Sequence, residues 1–354
     1  GGGQSGVPPV RRRRDSQRRA LARARPSARP DEHRVRAFES PETSGAILRR
    51  VFFETDAARA LGVVFKDGVL VVLEDVVHVL LGVPAPGLGL GASGPQVVEG
   101  LHGIPFTQPL TRMRETIEVV RLAEAGEKLA LDGEQVRLPL PDGEGKALRL
   151  SLDPDGRPLP IYIGSLSPKM LELTGELADG WLGTSFVPEG SATTFESLSA
   201  GAARSNRKLT DLDLCQGAEV AFARDEKELA AMVDARRSGL AFSLGGMGSA
   251  DTNFYNDAYA RQGFAEVAAE SQRLWLAGDR KAAAEVVPDE MVLATTLLGT
   301  ESQVADRLAL WHDVGISHIR LYPAGDTLDE RLATLGRALD LIRGLGSSQP
   351  ADGP

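Results

Sequence analysis

Cysteine is almost absent from this sequence. Cys215 is alone in 354 residues, which excludes an internal disulfide framework and makes a reducing cytoplasm the expected compartment. Aromatic residues make up only 5% of the chain, and the first is Phe38. No run reaches the roughly 18 uninterrupted apolar residues that a membrane helix requires. The most apolar stretch, 62–83, is broken by Lys66, Asp67, Glu74, Asp75 and His78. The basic N-terminus has no apolar segment behind it, so it does not read as a secretory signal. The five histidines (His33, His78, His102, His312 and His318) lack metal-ligand spacing among themselves or with Cys215, and no metal is expected. There is no G-x-S-x-G elbow and no glycine loop ending in Lys-Ser or Lys-Thr. Cys215 lies in an apolar strand and reads as core, and the histidines read as structural or surface residues, with pocket lining as the other reading for His102, just after a glycine turn. No catalytic residue can be named. A chain without a nucleophile set fits an enzyme whose cofactor carries the chemistry.

What is present is unevenly distributed. Net charge is −9, from 40 basic and 49 acidic residues. Residues 11–36 hold 11 arginines against Asp15, Asp31 and Glu32, about +8. Removing these leaves 29 basic and 46 acidic residues, a body of net −17. An acidic body argues against broad nucleic-acid binding by the folded part. The arginine arm lacks the interleaved aromatics of nucleic-acid readers, so a solvated tail is favoured over an RNA, DNA or lipid arm. The expected domains are a disordered Arg/Pro-rich segment over 1–40, an atypical N-terminal part over 41–85, a main domain over 86–346, and a flexible tail over 347–354.

From Pro86 the pattern alternates between apolar strands and amphipathic helices. Strands are expected at 87–91, 160–164, 181–184, 214–223 and 318–322. Helices are expected at 109–126, 167–177, 191–204, 226–240, 255–277, 279–286, 301–314 and 328–345. Residues 128–158 read as an insertion with turns at Asp132-Gly133, Asp142-Gly143 and Asp155-Gly156. Before the regular part, 46–61 suits a short helix. Val63-Val64-Phe65 and 69–73, joined by Asp67-Gly68, read as a hairpin, with a helix over 74–81 as the other reading. Alternation of this kind implies a parallel sheet covered by helices: a (β/α)8 TIM barrel, or else an open doubly wound sheet. Eight units need three more before Gly87, about 90 residues, where only about 45 read as foldable. The barrel is therefore expected to be incomplete or atypical at its N-terminal units.

Active sites of such barrels lie at the C-terminal ends of the strands. Three ends stand out. Gly89 to Gln96 is a glycine-rich turn that lets a ligand approach the backbone. Ile161 to Gly164 leads through Ser165 and Leu166 to Ser167-Pro168-Lys169-Met170, where a helix N-terminus offers free N–H groups to an anion. Thr184 ends the strand of Trp181, with Asp179 at that strand's start read, like Trp181, as structural.

Together these ends resemble the luciferase-like monooxygenase superfamily, in particular its branch using the deazaflavin coenzyme F420. The resemblance rests on Leu90 to Gly100 with His102-Gly103-Ile104-Pro105-Phe106, on Leu138-Pro139-Leu140-Pro141 and Gly145-Lys146-Ala147-Leu148, and on Pro160 to Met170. It continues through Leu173 to Trp181 and Val287-Pro288-Asp289-Glu290. It implies an oxidoreductase that moves hydride between F420 and a small organic substrate, with FMN as the alternative cofactor of a monooxygenase on the same fold. The phosphate tail would meet the N–H groups of Leu166, Ser167, Lys169 and Met170, just past Gly164. Ala92, Ser93 and Gly94 would lie against the ring or its side chain, and Thr184 would face the ring or the substrate. Gly94 and Val187 stand where sugar-phosphate oxidisers of the family carry an acid and a lysine, which argues against that substrate. Two other readings stay open: a non-catalytic barrel remnant, and nucleic-acid binding through the arginine arm. An exposed barrel seam would favour a homodimer.

Overall fold

The computed structural model describes residues 63–66, 69–73, 87–150 and 158–347. Most of the expected segments 1–40 and 41–85, the helices expected at 46–61 and 74–81, the turn at Asp155-Gly156 and most of the tail lie outside the described residues.

The hairpin is present. Strands β1 (Val63–Lys66) and β2 (Val69–Leu73) pair antiparallel with Lys66 opposite Val69, the register of a two-residue connection. β2 continues antiparallel onto β3 (Leu88–Gly91), and here the parallel part begins. β3 pairs with β6 (Ile161–Gly164), β6 with β7 (Gly180–Gly183), β7 with β8 (Asp213–Phe222), and β8 with β10 (His318–Pro323), all parallel. β9 (Leu297–Gly299) pairs with the far end of β8. Each parallel strand leads into a helix: α1 (Pro109–Glu124), α2 (Pro168–Leu177), α3 (Ser191–Arg204), α4 (Glu226–Gly245), α9 (Glu301–Asp313) and α10 (Leu328–Ser347). Between α4 and β9 lie four more helices: α5 (Phe254–Tyr259), α6 (Ala265–Leu276), α7 (Arg280–Glu285) and α8 (Asp289–Ala294).

The sequence reading missed β9, whose three residues are too few to show a period, and it read 255–277 as one helix. In the structure a π-helical turn, Ala260–Phe264, interrupts that helix, with Gly263 at φ 106°. The insertion contains one small hairpin, β4 (Leu131–Asp132) with β5 (Arg137–Leu138). Among the described residues no register joins β10 to β1, so these strands form an open path rather than a closed ring.

The inner and outer faces of the sheet divide by strand periodicity. On β8, Leu214, Ala218 and Val220 enter a core with Trp181, Leu198, Trp311 and Leu335 of the surrounding strands and helices. A second core joins Leu88, Leu90, Ile161 and Ile163 to Met113 and Ile117 of α1 and to Met170 and Leu173 of α2. α2 and α3 approach at backbone distance. A Cβ added to Gly175 would collide with the Leu198 carbonyl oxygen and lie 2.8 Å from the Ala202 nitrogen, and one added to Gly201 would strike Glu172.

The start of β6 is pinned by charge. Arg121 binds Asp179 at 2.8 Å and the Leu159 carbonyl at 2.8 Å, while Asp179 also accepts from the Ile161 N–H at 2.7 Å. Asp179 thus ties a helix to two strand starts, a structural place as expected. Trp181 is buried and donates to the Ser165 carbonyl at 3.0 Å.

Candidate functional site

β3, β6 and β7 all end on glycine, at Gly91, Gly164 and Gly183, and the chain turns sharply after two of them. Ser93 has φ 58° and Ser185 φ 51°. Non-glycine residues in the left-handed region cost energy, and such positions concentrate where a site fixes the backbone. After Ser93, Pro95 starts a helical turn, and Val98–His102 forms a π turn closed by Gly103 at φ 66°. The Phe106 N–H then donates to Glu99 Oε1 at 3.1 Å, which holds the end of this loop.

The loop after β6 is held from both sides. Ser165 Oγ lies 2.9 Å from Thr174 Oγ1, and its carbonyl takes the Trp181 indole N–H. Ser167 has φ −74° and ψ 145° and no side-chain capping bond, so its hydroxyl leaves the first N–H groups of α2 uncovered, and Pro168 occupies the first turn. Above this loop sits the π turn 260–264. Arg261 donates to the Leu166 carbonyl at 2.7 Å, and burial lowers its pKa from the ordinary arginine value, with Asp257 acting weakly in the other direction. Gln262 accepts from the Val187 N–H at 2.8 Å and donates to the Ser185 carbonyl at 2.7 Å and to the Ala258 carbonyl at 2.9 Å. One irregular turn therefore grips the loops after β6 and β7 together. The Tyr259 hydroxyl beside it is pushed up to about 12 by burial, its hydrogen bond with Ser185 working the other way.

These strand ends surround a cavity of about 470 Å³, within the roughly 300–1,000 Å³ of small-molecule sites. Ala92, Ser93, Gly94, Gly164, Leu166, Ser167, Met170 and Thr184 all line it. Lys169 does not: its side chain is exposed, which leaves only its backbone N–H in the first turn of α2. His102, for which the sequence left pocket lining open beside a structural or surface place, is not among the lining residues. Cys215, read as core, corrects in the other direction. It lies on the inner face of β8, opposite Leu182 of β7 and His318 of β10, and lines the cavity.

Sequence reasoning also missed the wall made by Phe106, Met247, Thr252, Phe254 and Tyr255. Its only signal was a glycine-rich stretch followed by aromatics. On the inner face, Tyr162 donates to Asp213 Oδ2 at 2.7 Å, and His318 Nδ1 lies 3.9 Å from Asp213 Oδ1. Burial, then the bond to Asp213, raises the Tyr162 pKa well above the ordinary phenol value. Gln216 also lines the cavity, and its buried Oε1 has no hydrogen-bond partner among the described residues. Among those residues there is no His/Cys/Asp/Glu group able to hold a metal, and no helix long and apolar enough to cross a membrane. The arrangement offers glycine-lined backbone, uncovered N–H groups and hydroxyls. It can hold and orient a flat ligand with an anionic end.

Residues 87–318 match the sequence profile of the family described as luciferase-like monooxygenase. The chain belongs to that family. It is similar, at 38% identity over 65% of its length and 67% of the relative's, to a protein of Mycobacterium tuberculosis whose name assigns it provisionally to the coenzyme F420-dependent oxidoreductases. It is 28% identical to a 5,10-methylenetetrahydromethanopterin reductase of Archaeoglobus fulgidus, over 66% of this chain and 65% of that one. The chain spans about two thirds of the length of these relatives. Its fold is similar to that of the coenzyme F420-dependent tetrahydromethanopterin reductase of Methanopyrus kandleri, with a TM-score of 0.53 and 21% identity over 73% of each chain. It is likewise similar to an F420-dependent secondary alcohol dehydrogenase, with a TM-score of 0.52 and 16% identity over 75% of this chain and 73% of that one. The fold is thus that of the luciferase-like barrels, entered here through an antiparallel hairpin.

Proposed function

We propose that this protein is an F420-dependent oxidoreductase that transfers hydride between the coenzyme and a small organic substrate. The observation that carries the reading is the cavity at the strand ends, where a glycine turn and an uncapped helix N-terminus face each other in a chain whose relatives are named for F420. The donor set fits the coenzyme's phosphate tail. The N–H groups of Ser167, Lys169 and Met170 and the positive end of α2 favour an anion, and Arg261 adds a cation at the same loop. Bound coenzyme supplies the hydride chemistry. The chain's own residues bind and position. Ala92, Ser93 and Gly94 present backbone to a flat ring, Gly164 lets a ligand lie close to β6, and Thr184 offers a hydroxyl at the rim. Fixed geometry of this kind lowers the barrier by orientation rather than by a covalent step.

Titration of the purified full chain with F420, read by quenching of coenzyme fluorescence, tests the proposal, with FMN in parallel. Micromolar binding of F420 and weaker binding of FMN are expected. The reverse preference would transfer the site to flavin monooxygenase chemistry, and a folded sample that binds neither would sink the enzyme reading. Arg261→Gln is expected to weaken F420 binding several-fold, because the loop after β6 loses the donor that holds the Leu166 carbonyl.

A further inference from the structure

The cavity has two chemically different walls. One is the anion end already described, built from the first turn of α2 and the loop that Arg261 holds. The other is formed by the segment leading into α5 and by the loop after β3. Here Phe106 and Phe254 pack with ring centroids 6.5 Å apart at 49°. Met247 and Tyr255 complete this wall, and Val97 lies on the β3 side of it. None of these side chains is charged. Among the described lining residues there is no lysine and no carboxylate, and the two basic side chains, His318 and Arg320, belong to β10 rather than to this wall.

The wall is held in place rather than left loose. Gln96 donates across to the Thr252 carbonyl at 3.3 Å, tying the β3 loop to the segment before α5. Asn253, itself buried, donates to the Leu244 carbonyl at 2.9 Å and accepts from the N–H groups of Tyr255 and Asn256 at 3.1 Å each. Asn256 donates to Leu244 and to Ala268 at 2.9 and 2.7 Å, which anchors α5 to α4 and α6. A preformed apolar wall with fixed aromatic rings selects its ligand by shape and by lack of charge, because a charged group brought against it loses hydration and gains no partner. Met247 and Val97 remain more than a third exposed at its edge, at 37% and 40%, so apolar surface is left at the entrance for a ligand to cover.

We infer that this wall is the substrate subsite, and that it takes an uncharged molecule with an aromatic or alicyclic body rather than a phosphorylated or carboxylated one. The inference rests on the coenzyme reading above only for which end of the cavity the substrate takes. The subsite itself follows from the wall's chemistry.

The test uses the full chain with and without saturating F420, and two probes that differ in charge: 1-phenylethanol and phenyl phosphate. Binding is read by saturation-transfer NMR and calorimetry. With F420 saturating, so that the anion end is occupied, the neutral probe is expected to bind at least tenfold more tightly than the phosphate. Phe254→Ala is expected to weaken the neutral probe about tenfold, the order of one aromatic contact, while the F420 dissociation constant stays within twofold. Met247→Lys, at the exposed edge and therefore tolerated by the fold, is expected to narrow or reverse the preference between the probes. Three results would overturn the inference: phenyl phosphate bound as tightly as the alcohol in the presence of saturating F420, neither probe bound, or Phe254→Ala weakening F420 but not the neutral probe. Neutral-probe binding that responds to Phe254→Ala in a protein that fails to bind F420 would leave the subsite standing and remove the coenzyme reading alone.

Discussion

Glu115 carries a buried carboxylate that nothing in the sequence marked. It lies inside α1, where an acid reads as a solvent-facing residue. Its carboxyl instead accepts the N–H groups of Glu134, Gln135 and Val136 at 2.7, 2.8 and 2.7 Å. Burial opposes the charged form, but these three donors, helped by Arg112, outweigh it and hold the pKa below the usual carboxylate range. The signal is invisible in one dimension because the donors belong to the turn between β4 and β5, about 20 residues later. Glu115→Gln is expected to destabilise the protein by about 1 kcal/mol, since a neutral amide cannot accept all three N–H groups. A thermal melt at neutral pH checks this. A depressed pKa contributes stability that is present above the unfolded value of about 4.3 and lost as pH falls through the lower folded value. The gap between wild type and variant should therefore close in acid. A gap unchanged down to the acid limit would show that packing, not charge, holds the loop.

At the scale of elements, helices with local punctuation were legible. Ser167-Pro168 opens α2, and α3 runs over 191–204 as the apolar period predicts. The π turn at 260–264 was not legible, because its irregularity answers to partners far away: Leu166, Ser185 and Val187. Gln262→Leu removes the clasp while keeping the volume. It is expected to loosen the loop after β7, weakening F420 binding several-fold with a smaller loss in melting temperature; parallel titration and calorimetry separate the two. The contact of α2 with α3 makes a sharper prediction. Gly175→Ala places a methyl on the Leu198 carbonyl, so the helices must part. A loss of about 1–3 kcal/mol is expected from overpacking, although alanine is the better helix former by about 1 kcal/mol. Equilibrium denaturation checks the sign: a stabilised Gly175→Ala would mean that the helices separate without cost.

For the whole molecule, alternation of strands and helices announced the parallel sheet, and the shortage of βα units before Gly87 announced the departure. The described residues there form an antiparallel hairpin on the edge of the sheet, not βα units. If F420 binds at the strand ends, it braces loops contributed by β3, β6 and β7 at once. Saturating coenzyme at about 100 times its dissociation constant should then stabilise the fold by about 2.7 kcal/mol. That corresponds to a rise of several degrees in the melting temperature of a domain this size. A single cooperative melt that moves up with F420 is expected. A non-cooperative transition that ignores the coenzyme would favour the reading of a non-catalytic remnant.

By itself, the sequence determined what depends on neighbours along the chain: strand and helix periods, the hairpin strands at 63–66 and 69–73, the start of α2 at Ser167-Pro168 and the glycine turn after β3. Those are local properties, carried by residues a few positions apart. Only the tertiary structure decided what depends on residues brought together from a distance. It turned Cys215 inward because β8 alternates its faces, and it left the Lys169 side chain outside the cavity. It set Phe106 against Phe254, 148 positions apart in the chain, and hung the loop after β6 on Arg261 and the loop after β7 on Gln262. Side-chain direction and long-range pairing are fixed by the sheet register and by close packing, and neither leaves a trace in the order of the residues.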